Sequence, residues 1–269
     1  MAKLRLVTLL TDFGTRDPYV AVMKGVLLAR CPQATVVDAT HEIAPQDVLE
    51  AAFVLGQTAA AFPPGTLHVV VVDPGVGTQR RILAGRLGGR LFLVPDNGVL
   101  TFVAQTMPTE ALHLVSSTRY LPPGRPSATF HGRDIFAPVA AHLLNGVAVE
   151  RLGPPAEKYK VLDLPAPTTE PGRIAGEVVY VDRFGNLVSN IPGALAMEHF
   201  ADLERIEVCC GGRSVGGLQG TYGFVGEGEP LALINSMDRI EVAVNCGRAD
   251  EVLGVGIGAE VVLTAAGTP

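Results

Sequence analysis

The residues best placed to do chemistry are Asp73, Arg80 and His131. Asp73 ends the valine run Val69–Val72 and is followed by Pro74-Gly75. A continuous β-branched run reads as a strand buried on both faces, and proline stops it. A carboxylate at the C-terminal end of a central parallel strand lies where open α/β sheets keep their ligands. Arg80 follows closely enough to return to the same crevice, although on this segment alone a capped strand end with a surface arginine is the favoured explanation. His131 sits between Phe130 and Gly132, just ahead of a helix. An isolated histidine is more often structural, yet a glycine neighbour and a helix N-terminus both suit a group that faces a ligand. A metal site built from His41, His131 and the strand-end aspartates matches no compact ligand spacing, so no metal is expected. GxGxxG, GxxxxGK[ST] and GxSxG are all absent, which removes support for dinucleotide, P-loop and serine-hydrolase chemistry.

Later in the chain, Asp182-Arg183-Phe184-Gly185-Asn186 and Asn235-Ser236-Met237-Asp238 each follow a hydrophobic strand. A hairpin turn accounts for both. Their carboxylates, amides and hydroxyl also suit an amino acid's charged groups or a purine edge.

These groups need a framework, and hydrophobic periodicity supplies one. The order is strand Leu4–Thr11, helix Tyr19–Cys31 begun by Asp17 as N-cap and Pro18, strand Ala34–Asp38, a helix from about Gln46 to Phe62, then the valine strand. Strand ends close in Asp12, Asp38 and Asp73. Leu91–Val94 and the turn Pro95-Asp96-Asn97-Gly98 come next, and a helix Ile135–Leu144 opens with Asp134 as its N-cap. Past a Pro, Glu and Lys-rich stretch the chain turns to short β-rich runs separated by glycines, with one brief helix near Gly193–His199. The expected fold is α/β: an N-terminal domain (1–155) with a central, mostly parallel sheet flanked by helices, a linker (156–172), and a smaller C-terminal all-β, barrel-like domain (173–269).

Composition bounds the rest. The 269 residues are 48% hydrophobic and 18% charged, enough for a substantial folded core. A net charge of -6 without a basic block argues against nucleic acid. No apolar run is long enough to span a bilayer, and Met1–Arg5 leads straight into a strand without a signal-peptide pattern. Cys31, Cys209, Cys210 and Cys246 lack CxxC spacing and read as reduced thiols of a cytoplasmic protein.

Taken together, TDFGTRDPYVAVMKG (Thr11–Gly25), DATHEIAPQDV (Asp38–Val48), VVVDPGVGTQRR (Val70–Arg81), PDNG (Pro95–Gly98), TFHGRDIFAP (Thr129–Pro138) and DRFGNLVSNI (Asp182–Ile191) resemble the S-adenosylmethionine hydroxide adenosyltransferases, relatives of the fluorinating and chlorinating enzymes. The resemblance runs from Leu6 to about Thr264. It implies hydrolysis of S-adenosyl-L-methionine to adenosine and L-methionine, by attack of an activated water at the ribose C5′. It implies a small-molecule substrate, no cofactor, and a homotrimer with substrate bound between subunits. The hydrolytic branch is marked by an Asp-Arg-His set, supplied here by Asp73, Arg80 and His131. Gly132 stands where halogenating members carry a hydroxyl-bearing residue. By the same carry-over Asp12 grips the ribose hydroxyls, and Asp182 and Ser236 hold the methionine end. Asn186, Tyr222 and the main chain at Cys246 meet adenine. Two other readings remain: a non-catalytic adenosine or S-adenosylmethionine binding module, and a halogenase.

Overall fold

The computed structural model describes residues 5–265. The chain divides between Leu162 and Asp163 into two compact units.

In the first unit, β1 (Leu6–Thr11), α1 (Tyr19–Arg30), β2 (Thr35–Thr40), α2 (Val48–Ala61) and β3 (Leu67–Val71) alternate as the periodicity predicts. Then come β4 (Ile82–Leu87), β5 (Arg90–Pro95), α3 (Thr101–Thr106), β6 (Thr109–Leu114) and α4 (Ala137–Leu144). The sheet order is β2-β1-β3-β5-β4-β6. The β1–β2, β1–β3 and β3–β5 pairs are parallel, whereas β4 runs antiparallel to β5 and β6. Side chains alternate across a strand, so the valine run serves both faces. Val69 and Val71 join Met23, Leu27, Phe136 and Val139 on the α1/α4 side. Val70 and Val72 join Ala51, Leu55 and Val103 on the α2/α3 side. Both layers press on β3, which fixes the strand end that carries Asp73.

Two expected helix caps are corrected. Pro18, not Asp17, occupies the N-cap of α1, and no side chain caps that end. Proline's fixed φ suits the boundary, and its carbonyl takes the first helical bond, from Val22 N–H at 2.9 Å. Asp134 is likewise no cap. A π-helical turn, Gly132–Phe136, precedes α4, and His131 takes the cap position. Asp134 lies inside that turn, where its carboxylate accepts from Ser127 N–H at 2.8 Å and from Arg133 Nε at 2.6 Å. It ties down the loop ahead of the helix.

In the stretch expected to be linker, Ala156 N–H bonds to Leu112 O at 2.8 Å and Lys160 N–H to Asp96 Oδ1 at 2.7 Å, both partners in the first unit.

The second unit comprises β7 (Thr168–Glu170), β8 (Arg173–Val181), β9 (Leu187–Pro192), α5 (Gly193–His199), β10 (Ile206–Cys210), β11 (Arg213–Gly216), β12 (Leu218–Gln219), β13 (Pro230–Ile234), β14 (Arg239–Val244), α6 (Ala249–Leu253) and β15 (Glu260–Ala265). The order β11-β10-β15-β8-β9-β14-β13-β12, with β7 on β8, makes a nearly closed, barrel-like sheet. The long β8 pairs with β15 through one half and β9 through the other, and its register shifts between Val178 and Tyr180. Such a bulge bends a strand and helps a sheet curl. The interior holds Ile174, Val178, Leu187, Val208, Ile240, Val242 and Leu263. Among the described residues no helix is long and apolar enough to cross a membrane.

Candidate active site

Asp73 emerges just past the end of β3, and the chain then turns tightly, with Val76 N–H bonded to Asp73 O at 3.1 Å. Gly77 has φ +76°, and a Cβ there would collide with the Ala128 carbonyl. Glycine therefore lets this turn pack against the segment leading to His131. The turn returns Arg80 to Asp73. Arg80 Nε donates to Asp73 Oδ1 at 2.9 Å, and Nη2 donates to Oδ2. Their side chains are only 6% and 4% exposed, so this is a buried bidentate ion pair. The same Nη2 lies 3.1 Å from His131 Nδ1.

That last contact sets the histidine's protonation. Guanidinium nitrogens only donate, so Nδ1 must accept and the ring proton resides on Nε2. Electrostatics agree. Burial, and then the neighbouring Arg80 charge, hold the His131 pKa below its ordinary value, outweighing Asp73 and Asp134.

Asp73 and His131 line a cavity of about 270 Å³ together with Asp12, Gln46 and Gly132. Phe13, Tyr19 and Phe130 form an aromatic cluster on its wall, with ring centroids 5.1 to 6.0 Å apart. Asp12 Oδ2 accepts from Gln46 N–H at 2.8 Å, and Gln46 takes a left-handed φ of +68° to reach it. Arg80 stands on a neighbouring cavity of about 830 Å³, with Gln79, Arg81 and Asn97.

The PDNG turn has a role that sequence reasoning missed. Asn97 Nδ2 donates to Val72 O at 2.9 Å, just before Asp73. Asp96 accepts from Arg81 Nε at 2.7 Å, just after Arg80. Both ends of the loop between the two ionic partners are thereby held. The signal was present as polar residues in a turn, but its targets were not. His41 belongs to another network: Nδ1 lies 2.9 Å from Thr11 Oγ1 and Nε2 3.0 Å from Asp38 Oδ1. It joins the ends of β1 and β2 beside Asp12. Among the described residues no group of three or more His, Cys, Asp or Glu is arranged to hold a metal ion.

A separate pocket of about 610 Å³ opens on the second unit, and Asp182, Asn186, Tyr222 and Cys246 all line it, with Phe184 and Arg248. Asp182 organises the β8–β9 hairpin turn. Its Oδ1 accepts from Phe184 N–H at 2.8 Å and Asn186 N–H at 2.9 Å, and its Oδ2 from Asn186 Nδ2 at 3.0 Å. Asn186 thus spends one amide N–H on Asp182, which leaves its other N–H and its carbonyl for a ligand. Cys246, exposed at the pocket edge, adopts φ +55°, a conformation that costs a non-glycine residue strain. Tyr222 donates its hydroxyl to Glu241 at 2.8 Å. Burial and that bond push its pKa up to about 12, so it stays a neutral donor. Ser236 is not on this wall. It lies in the β13–β14 turn, where Asn235 Oδ1 accepts from Met237 N–H at 2.9 Å.

Residues 7–153 match the SAM hydroxide adenosyltransferase N-terminal domain, and residues 176–262 match its C-terminal domain. An (R)-S-adenosyl-L-methionine hydrolase of Thermus thermophilus is 42% identical over 94% of this chain and 96% of its own. One from Salinispora tropica is 39% identical over 98% of this chain and 100% of its own. A fluorinase of an Actinoplanes species is 29% identical over 74% of each chain. The crystal structure of an uncharacterised conserved protein from Thermotoga maritima superposes with a TM-score of 0.90 at 39% identity, over 96% of this chain and 99% of the other. Near-complete coverage in both units leaves one assignment: this chain belongs to the SAM hydroxide adenosyltransferase family.

Proposed function

We propose that the chain hydrolyses S-adenosyl-L-methionine to adenosine and L-methionine, and that its substrate is the (R)-sulfonium epimer named in its hydrolase relatives. The observation that carries the mechanism is the Asp73–Arg80–His131 array, of which Asp73 and His131 line the aromatic-walled cavity and Arg80 bonds to both. The obstacle is the nucleophile: ionising free water at pH 7 costs about 12 kcal/mol. Arg80 neutralises Asp73, so the pair does not repel a developing hydroxide as a bare carboxylate would. Asp73 retains open lone pairs beyond those given to Arg80, and it accepts the water's proton as attack proceeds. His131 already bears its proton on Nε2. It therefore donates toward the incoming oxygen and is not the base.

The water oxygen bonds to C5′ as the C5′–S bond breaks, and the electron pair returns to sulfur to give a neutral thioether. The proton passes through Asp73 to solvent, so each turnover releases one proton. Charge disperses from the sulfonium in this transition state, which an aromatic-walled cavity favours. Asp12 takes the ribose hydroxyls. Asn186, Tyr222 and the main chain at Cys246 take adenine, and Asp182 and Ser236 the methionine end. The homotrimer with substrate between subunits and the cytoplasmic location are part of this proposal. The free thiols Cys31, Cys209, Cys210 and Cys246 suit a reducing compartment.

The test incubates purified protein with each sulfonium epimer in isotopically labelled water, with and without chloride. Equal adenosine and methionine, label in the adenosine 5′-hydroxyl, and no dependence on chloride are expected from the (R) epimer. Bound substrate without turnover would instead establish a binding module. Chloride-dependent consumption would establish a halogenase.

A further inference from the structure

Glu241 lies on β14 between Ile240 and Val242, whose side chains belong to the barrel interior. Strand alternation turns Glu241 to the opposite face, with Ala243, which packs with Leu231 and Leu233. The residue is only 4% exposed. A carboxylate buried in such a setting needs strong donors, and it has two from separate parts of the chain. Tyr222 hydroxyl donates to Oε1 at 2.8 Å, and Asn235 Nδ2 donates to Oε2 at 2.9 Å. Neither donor is a cation.

Asn235 is fixed as a donor, and the Tyr222 hydroxyl donates as well, so a carboxylate satisfies both. Asn235 cannot turn its amide around, because its Oδ1 already accepts from Met237 N–H at 2.9 Å and Arg239 N–H at 3.1 Å. The carboxylate accepts from both at once; glutamine offers one acceptor oxygen, so the Tyr222 hydroxyl would have to turn from donor to acceptor. Tyr222 sits in a short turn and is 42% exposed, yet its hydroxyl is drawn inward to this acid. The ring is thereby held as a wall of the 610 Å³ pocket.

We propose that Glu241 is the positioning residue of the adenosine pocket: it locks the Tyr222 ring and, through Asn235, the turn bearing Ser236. This rests on the reading that the pocket takes the adenosine end of the substrate. Glu241 touches no substrate itself, so its loss acts on binding and spares the chemical step.

Adenosine binding to the full-length protein, measured by calorimetry beside steady-state kinetics, tests this. Glu241→Gln should weaken adenosine and raise KM by roughly tenfold, the scale of one lost charged hydrogen bond, with kcat changed by no more than about twofold. Tyr222→Phe, which removes the hydroxyl bonded to Glu241 and leaves the ring, should weaken adenosine in the same direction. Adding it to Glu241→Gln should cost less than the sum of the two. A fall in kcat with unchanged KM, or additive losses, would overturn the proposal. If Glu241→Gln does not fold, Tyr222→Phe decides alone: unchanged adenosine affinity overturns it. Wild-type protein that binds no adenosine would overturn this inference and the pocket's assignment together. Wild-type binding with unaffected variants would overturn this inference only.

Discussion

The two concave sites satisfy their buried carboxylates in opposite ways. In the first unit Asp73 is matched by a cation that grips both of its oxygens and reaches on to His131. In the second unit Glu241 is held by a phenol and an amide. The difference follows from what each site must do. Where charge moves, a fixed counter-charge lowers the cost of developing hydroxide. Where a ring and a turn need only be held still, neutral donors suffice. Damage to the first site should therefore appear in kcat, and damage to the second in KM.

Arg80→Lys puts the largest strain on that division. A single ammonium cannot span both Asp73 oxygens and also donate to His131 Nδ1, so charge is kept while geometry is lost. The expected loss in kcat is on the order of 10³-fold, the scale of a misplaced transition-state donor, with adenosine affinity unchanged. Lysine is preferable to alanine, which would leave Asp73 buried and unpaired at a cost of about 3–5 kcal/mol. Equal losses in kcat and adenosine affinity would erase the distinction between the sites.

Asn97→Ala tests the same site from one step further away. The Asn97 amide holds the Val72 carbonyl, immediately before Asp73. Its loss should lower kcat about tenfold, since a small misplacement of reacting groups is costly, and leave adenosine binding alone. A rise in KM without a change in kcat would place Asn97 with the binding groups.

How much of this was legible in sequence depended on where the partners lie in the chain. The valine run declared β3 because a strand packed on both faces needs apolar residues at every position. The helix at Gly193–His199 and the second unit's longer strands were marked by glycine, proline and alternation. β4 and β6 were not read: one carries Gly85 and Arg86, the other opens with Thr109 and Glu110, and neither shows a clean period. Asp17 and Asp134 looked like caps because each precedes a helical pattern by the right distance, but α1 starts one residue later, with Pro18 at its cap, and the π-helical turn ahead of α4 starts earlier and takes Asp134 inside it. Glu241 passed as the polar position of an alternating strand. Its meaning comes from Tyr222 and Asn235, which only the fold brings to it. The same holds for His131: spacing could mark it as facing a ligand, but only Arg80 Nη2 at 3.1 Å assigns its proton.

The smallest expected effect is the most specific. Burial and the Arg80 charge hold the His131 pKa below its ordinary value near 6.5. The neutral ring is therefore the form in use, and it must exceed half of the population at pH 6.5. An unshifted histidine would sit at half there, so kcat/KM at pH 6.5 should stay above half of its value at pH 8. The decline comes only at lower pH, and His131→Asn should remove that acid limb along with most of the activity. The stability sign is the same. Because the folded state binds the proton less readily than the unfolded chain, the contribution of neutral His131 is complete above about pH 6.5 and is lost as pH falls through the folded pKa. The second unit's pocket has no histidine in its wall, so adenosine affinity should stay flat over the interval in which kcat/KM declines. Parallel decline of the two would mean that acid opens the whole protein and does not protonate one ring.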